Sequence, residues 1–281
     1  MAAIAEAARR HSVIAEWLAF ATQVLIAVSF EVADDLGRGL VAQHGTLEGN
    51  DNALSIVAFE RAHGFWVEPA WQIFFEHTHS FLTFTMSWPD AMRIMNSIYV
   101  GGHVFVTLGV AIWLFAYRRR IFGFVRNVVI LTNLFALVVY ERFPVAPPRL
   151  TYPLWFHHHP FHFQDTVFGL VSSTGKLMGT QAGYNEYSAM PSVHMAWALI
   201  AGACVLLLAR SPFIRTTGII YPMMMLVAVV VTGNHYLMDV VGAVPVVLIA
   251  VIVALGMDRC RNLLPGGALS PRPVDEWFPE Q

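Results

Sequence analysis

Apolar residues in this chain come in long unbroken blocks, not in the alternating or amphipathic rhythm of soluble strands and helices. Six blocks stand out, at roughly 13–32, 94–116, 124–141, 190–209, 217–234 and 237–256. A helix needs about 20 apolar residues to cross the hydrocarbon core, and only a helix or a closed barrel satisfies its own backbone there. The pattern predicts an all-α polytopic membrane bundle of six transmembrane helices. Between the first two blocks lies FWVEPAWQIFFEHTHSFLTFTMSW (65–88), apolar and aromatic but broken by Glu68, Pro69, Glu76, His77 and His79. Those polar groups argue against a seventh crossing. They predict interfacial helices within the 52–90 segment, anchored by Trp66, Trp71 and Trp88; a re-entrant segment is the alternative.

The basic residues add an orientation. Arg9 and Arg10 precede the first span, Arg118, Arg119, Arg120 and Arg126 join the second and third, Arg210 and Arg215 join the fourth and fifth, and Arg259 and Arg261 follow the sixth. All fall on one side if each span crosses once, and the positive-inside rule makes that side the cytoplasm. Both termini are then cytoplasmic, in a plasma or cytoplasmic membrane. The long segments 33–93 and 142–189 face the other way.

Composition agrees with lipid as the solvent. Charged residues make up 13% of the 281, against about 25% in soluble domains. The spans leave no room for a large soluble domain, so residues 1–261 read as one membrane-embedded unit. Residues 262–281, with four prolines, read as a flexible cytoplasmic tail. The first block has no small-residue cleavage site after it and reads as an uncleaved span. No basic run with interleaved aromatics supports nucleic-acid binding. Cys204 and Cys260 lie far apart, which argues against a disulfide or metal pair. His157, His158, His159 and His162, and His77 with His79, have no neighbouring cysteine or carboxylate ligand set, so no metal or other cofactor is expected.

Four polar clusters collect at the non-cytoplasmic helix ends. In ERFPVAPPRL (141–150), Arg142 and Arg149 suit a phosphate, because planar guanidiniums bind oxyanions through two donors at once; snorkelling to headgroups is the plainer role. In MPSVH (190–194), Pro191 fits a helix start. Ser192 and His194 then sit where orphan N–H groups favour an anion, although Ser192 also suits a simple cap. In NHYLMD (234–239), His235 and Asp239 share a helical face. An aspartate on one imidazole nitrogen makes the other a better base or nucleophile, and a structural pair has the same spacing. In NSIYVGGH (96–103), Asn96, Tyr99 and His103 form one inward polar stripe, suited to substrate contact or to helix packing.

The order Arg…Arg, Pro-Ser-x-His, His-x-x-x-Asp resembles the type-2 phosphatidic acid phosphatase superfamily. Its motifs are Lys-x6-Arg-Pro, Pro-Ser-Gly-His and Ser-Arg-x5-His-x3-Asp. Met190–His194 and the proline-rich stretch around Arg149 look most like its inositolphosphorylceramide synthase-related, inositolphosphotransferase-like branch. The resemblance is strongest over 94–256. It implies that His235 attacks phosphorus to give a phosphohistidine and that Asp239 orients it. It also implies that His194 protonates the leaving oxygen and that Ser192 and Arg149 hold the phosphoryl oxygens, without metal. Arg142 stands at the motif lysine, Leu150 at its proline and Val193 at the second-motif glycine. Val229 stands at the third-motif arginine. Arg142, Lys176 and His103 are candidates to replace that arginine's contact, and the outer loop with Lys176, Tyr184 and Asn185 is a candidate wall of a second pocket.

The resulting expectation is a lipid phosphatase, or a phosphotransferase moving a phosphoryl or phospho-headgroup between a lipid and an alcohol. Its partners are a lipid phosphate or phospholipid, a polyol or lipid alcohol acceptor, and the bilayer. A transporter or non-catalytic lipid-binding protein is the competing class; the spans lack ionisable residues near their middles and show no inverted repeat.

Overall fold

A computed structural model describes residues 18, 21–22, 46–77, 79–80, 85–155, 163–167 and 187–263. Among these the regular elements are helices apart from one antiparallel pairing of two short strands, and an isolated parallel bridge joins Val145 and Ser188. The elements are α1 (Thr46–Ala62), α2 (Glu68–Glu76), β1 (His79–Ser80), β2 (Thr85–Met86) and α3 (Trp88–Ser97). A π-helical turn (Ile98–Gly102) leads into α4 (His103–Tyr117), followed by α5 (Arg119–Arg142), α6 (Pro148–Trp155), α7 (Val193–Leu208), α8 (Pro212–Val231) and α9 (Leu237–Leu263).

Four stretches are long and apolar enough to cross a membrane: Pro89–Tyr117, Arg119–Arg142, Pro212–Val231 and Leu237–Arg259. They answer the second, third, fifth and sixth predicted spans. The expectation of six is therefore met in part. The fourth forms as α7, which at 16 residues is shorter than a full crossing. The first lies outside the described residues except for helical positions 18, 21 and 22. Helix ends shift for local reasons. The fourth block enters helix only at Val193, because Ser192 is the extended N-cap. The fifth stops at Val231, ahead of Gly233 with its positive φ of 72°.

The core sits between α7, α8 and α9, where Met195, Ala198, Met225, Val229, Val240 and Ala243 bury one another. Helices α7 and α8 approach to backbone contact. A Cβ on Gly218 would lie 2.6 Å from the Gly202 carbonyl oxygen and 2.7 Å from the Leu206 nitrogen. Helix α5 is tied to α7 by Trp197 Nε1, which donates to Asn133 Oδ1 at 2.9 Å, and by the Tyr140 hydroxyl, which donates to the Pro191 carbonyl at 2.8 Å. Outward-facing residues such as Phe105, Val138, Leu207, Ile220, Leu248 and Ile252 are exposed and apolar, as a lipid-facing surface requires.

The segment expected to hold interfacial helices does form α1 and α2, with the β1–β2 pairing after them. It does more than lie beside the bundle. Ala53, Ile56 and Val57 of α1 bury against Val145, Ala146, Ala189 and Tyr236, so α1 covers the bundle end at which α5 and α8 finish and α7 and α9 begin.

Candidate active site

The turn between α8 and α9 builds the centre of the site. Gly233 adopts the left-handed backbone that a side chain disfavours, and the chain reverses so that the His235 N–H donates to the Val229 carbonyl at 3.1 Å. His235 is 5% exposed. Its Nδ1 lies 2.8 Å from the Ala189 carbonyl oxygen and 3.4 Å from Asp239 Oδ2. Both neighbours are acceptors, so Nδ1 carries the proton and Nε2 holds the lone pair. Asp239 is fully buried; its Oδ2 also accepts the Tyr236 N–H at 2.8 Å, and its Oδ1 has no hydrogen-bond partner among the described residues. His235 and Asp239 do meet, but not on a shared helical face, because His235 lies in the turn before α9; a backbone carbonyl is the closer acceptor. Ala189 is held in place through Val145, which donates to the Tyr187 carbonyl at 2.7 Å and accepts the Ala189 N–H at 3.2 Å.

Ser192 and His194 arrive from the start of α7. Ser192 Oγ accepts the Met195 N–H at 3.3 Å, so the serine does cap the helix, while its own N–H donates to the Asp239 carbonyl at 3.0 Å and ties α7 to α9. The His194 ring stacks on Tyr99 with centroids 4.2 Å apart, meets His103 at 4.4 Å and lies 5.9 Å from His235. Tyr99 and His103 are held by the π-helical turn, whose wider winding is frequent at functional sites. His103 Nδ1–H donates to the Tyr99 carbonyl at 3.0 Å. Asn96, the third member of the predicted stripe, turns elsewhere. It is buried and makes two hydrogen bonds to Thr166, at 2.8 and 3.0 Å.

Arg149, in the first turn of α6, is brought to the same turn. Its N–H donates to the Gly233 carbonyl at 3.0 Å, its Nε–H donates to Asn234 Oδ1 at 3.1 Å, and Nη1 lies 3.5 Å from Asp165 Oδ2. The guanidinium side chain is nearly buried. Asn234 Nδ2 donates to Thr232 Oγ1 at 3.0 Å, which turns the amide oxygen toward Arg149. Arg142 is different. It occupies the last turn of α5 and is exposed; among the described residues no contact joins it to this cluster, because the prolines at 144, 147 and 148 end the helix and redirect the chain. Lys176, Tyr184 and Asn185 lie outside the described residues, as do His157, His158, His159 and His162. Val229, at the third-motif arginine position, is fully buried in the core.

Sequence reasoning did not single out Asn234, Glu60 or Gln72, and it read Glu68 only as an obstacle to crossing. Glu60 and Glu68 are fully buried. Glu68 Oε1 accepts the Leu237 N–H at 2.7 Å and Glu60 Oε1 accepts the Met238 N–H at 2.8 Å, so the two glutamates cap α9. Gln72 Nε2 donates to the Val231 carbonyl at 2.9 Å, and Gln72 Oε1 accepts the Gln164 N–H at 2.8 Å. Burial, with the neighbouring Glu68 second, pushes the Glu60 carboxyl up to about 9; burial likewise raises Glu68. Each carboxyl keeps a second buried oxygen, Oε2, with no hydrogen-bond partner among the described residues. The available signal was three polar residues at intervals of eight and four in a stretch rich in apolar and aromatic residues.

Comparison with protein families matches residues 55–253 to the PAP2 superfamily. The chain belongs to that superfamily. Comparison with curated proteins and with solved structures returned no match. The matched region starts well before residue 94, so it takes in the later part of α1 and all of α2, with Glu60, Glu68 and Gln72. Membership in the PAP2 superfamily, with four membrane-length apolar helices, makes this an integral membrane protein of the lipid phosphatase and phosphotransferase class.

Proposed function

We propose that the protein transfers a phosphoryl group, or a phospho-headgroup, from a lipid phosphate ester through a phosphohistidine on His235. The observation that carries this reading is the His235 tautomer: acceptors at 2.8 and 3.4 Å from Nδ1 keep the proton there and make Nε2 the nucleophile. The Nε2 lone pair attacks phosphorus, the bond from phosphorus to the lipid oxygen breaks, and protonated His194 gives its proton to that oxygen. Arg149 and Ser192 hold the non-bridging oxygens, where preorganised donors stabilise developing charge. The ionised Asp239 balances the positive imidazole ring. In the second step a water or alcohol oxygen attacks phosphorus, its proton passes to His194, the bond from phosphorus to nitrogen breaks, and His235 is regenerated.

The stacked Tyr99 and the edge-on His103 support a role for both in holding His194 or the headgroup. Met190–His194 and the stretch around Arg149 favour the inositolphosphotransferase-like branch, with a polyol or lipid alcohol as acceptor. The basic residues at the opposite helix ends favour a site on the non-cytoplasmic side. A catalytic unit spanning 1–261 with a tail at 262–281 accommodates both features. The test is an assay on purified protein in detergent with a panel of lipid phosphates and diphosphates, with and without inositol. Products are followed by phosphate release and mass spectrometry. Phosphate release lost in His235→Ala supports the phosphatase form, and a new phosphodiester with inositol supports the transferase form. Turnover retained in His235→Ala at an unchanged melting temperature refutes the mechanism. Bound lipid without turnover in the wild type moves the assignment to lipid binding or transport.

A further inference from the structure

Two buried acids that the mechanism leaves unused lie under the catalytic turn. Glu60 comes from α1 and Glu68 from α2, respectively 178 and 169 residues from their partners in the first turn of α9. Three consecutive N–H groups there end on carboxylates: Tyr236 on Asp239, Leu237 on Glu68 and Met238 on Glu60. A helix start normally offers these donors to an anion. Here they are occupied, so residues 236–238 offer no backbone donor to an anion. Glu60 Oε2 and Glu68 Oε2 have no hydrogen-bond partner among the described residues, and one proton shared between the two carboxyls would satisfy both. Sharing leaves the pair with one negative charge. Two would sit beside a third buried carboxylate, Asp239.

We propose that Glu60 and Glu68 act as one proton-sharing acid pair that positions the His235–Asp239 dyad and sets the basicity of His235. The geometry gives the pair two effects. Its hydrogen bonds hold the Leu237 and Met238 N–H groups, and through them the turn that presents Asp239 Oδ2 to both Tyr236 N–H and His235 Nδ1. Its single negative charge favours a positive imidazole ring, and so favours the phosphorylated ring as well. The ionisable groups around the dyad are Glu60, Glu68, Tyr236, His194 and, through Asn234, Arg149. The last of these is the fixed cation whose influence the acid pair opposes. The catalytic consequence rests on the phosphohistidine reading; the effect on His235 itself does not.

The test separates charge from hydrogen bonding. In Glu60→Gln the amide still accepts from Met238 and donates to Glu68, and the pair keeps one negative charge. In the double variant Glu60→Gln/Glu68→Gln the shape remains and the charge is gone. The readout is the titration of His235 by nitrogen-15 NMR of histidine-labelled protein in detergent, with the signal assigned by its loss in His235→Asn. The double variant is expected to lower the His235 midpoint by roughly one pH unit, as for loss of one charge at close range with partial screening, and Glu60→Gln to leave it in place. An unchanged midpoint in the folded double variant overturns the proposal. If the double variant does not fold, Glu60→Leu carries the test. It strips the Met238 N–H of its acceptor, so kcat falls at least tenfold at unchanged KM, and Glu60→Gln restores most of the rate. Equal kcat in Glu60→Leu and wild type overturns the proposal. A shifted midpoint in a protein that turns over no lipid phosphate upholds the acid pair and refutes the catalytic reading.

Discussion

Asn234 offers the sharpest test of how the site holds Arg149, the cation proposed to bind phosphate. Its amide oxygen accepts Arg149 Nε–H at 3.1 Å, and its own NH2 is fixed by Thr232 Oγ1 at 3.0 Å. Asn234→Ala removes the acceptor of a nearly buried guanidinium. Arg149 then has Asp165, 3.5 Å from Nη1, as a competing destination away from the reacting phosphorus. A hydrogen bond to a charged group contributes about 1.5–3 kcal/mol, so kcat/KM should fall about 10–150-fold. The assay is initial-rate phosphate release from a short-chain lipid phosphate in detergent, together with inhibition by orthovanadate as a five-coordinate mimic of the transition state. Vanadate affinity should fall by the same factor as kcat/KM, because both report binding of the same geometry. Asn234→Asp separates the causes: it keeps an acceptor for Nε–H but adds an anion that competes with phosphate, so KM rises while the melting temperature holds. If Asn234→Ala turns over like wild type while Arg149→Ala is crippled, Asn234 does not orient the arginine and the reasoning fails.

Three further outcomes follow from the same structure. His194→Ala should cost most with poor leaving groups, such as an alkyl alcohol, and least with a nitrophenol; equal losses across a leaving-group series would remove its role as acid. Gly218→Ala places a Cβ 2.6 Å from the Gly202 carbonyl oxygen and should destabilise the α7–α8 pair by about 1–3 kcal/mol. Gly109→Ala, with nothing within 4 Å of its Cβ, should be neutral or slightly stabilising; equal melting temperatures for the two variants would contradict the packing. The Glu60 carboxyl is raised from 4.5 to about 9 by burial and by Glu68. The folded state therefore keeps a proton that the unfolded chain loses above 4.5. This contribution to stability is complete below about 4.5 and is lost as pH rises to about 9, by up to about 1.4 kcal/mol per pH unit. Unfolding measured at about pH 5, 7 and 9 should show that decline in wild type and a flatter profile in Glu60→Gln; parallel profiles would refute it.

Much of the frame is a local property and was legible residue by residue. Long apolar blocks mark spans because lipid forces each crossing segment to satisfy its own backbone. Ser192 caps α7 because its Oγ reaches the N–H three residues on, and Asp239 comes within 3.4 Å of His235 although His235 lies in the turn before α9 and not on its face. The prolines after Phe143 end α5 whatever surrounds them, and that already weakened the case for Arg142. The same kind of reasoning left Arg149 open, since an arginine after a proline run snorkels or binds an anion with equal ease. Only the fold brings it to the Gly233–Asn234 turn.

What tertiary structure alone decided are contacts whose partners carry no mark in the chain. The closest acceptor of His235 is the Ala189 carbonyl, and every residue has a carbonyl. The polar stripe on α3 and α4 divides, Asn96 going to Thr166 while Tyr99 and His103 meet His194; the π-helical turn between them breaks the regular spacing from which one face was inferred. The carboxylates of Glu60 and Glu68 are expected to face water. Their burial depends on two N–H groups at the start of a helix some 170 residues later. Sequence by itself pointed to a helical membrane protein of the PAP2 superfamily and offered the histidines, serine and aspartate that resemble its motifs. The fold determined how their protons are held, because hydrogen bonds to a backbone depend on position and leave no residue type to read.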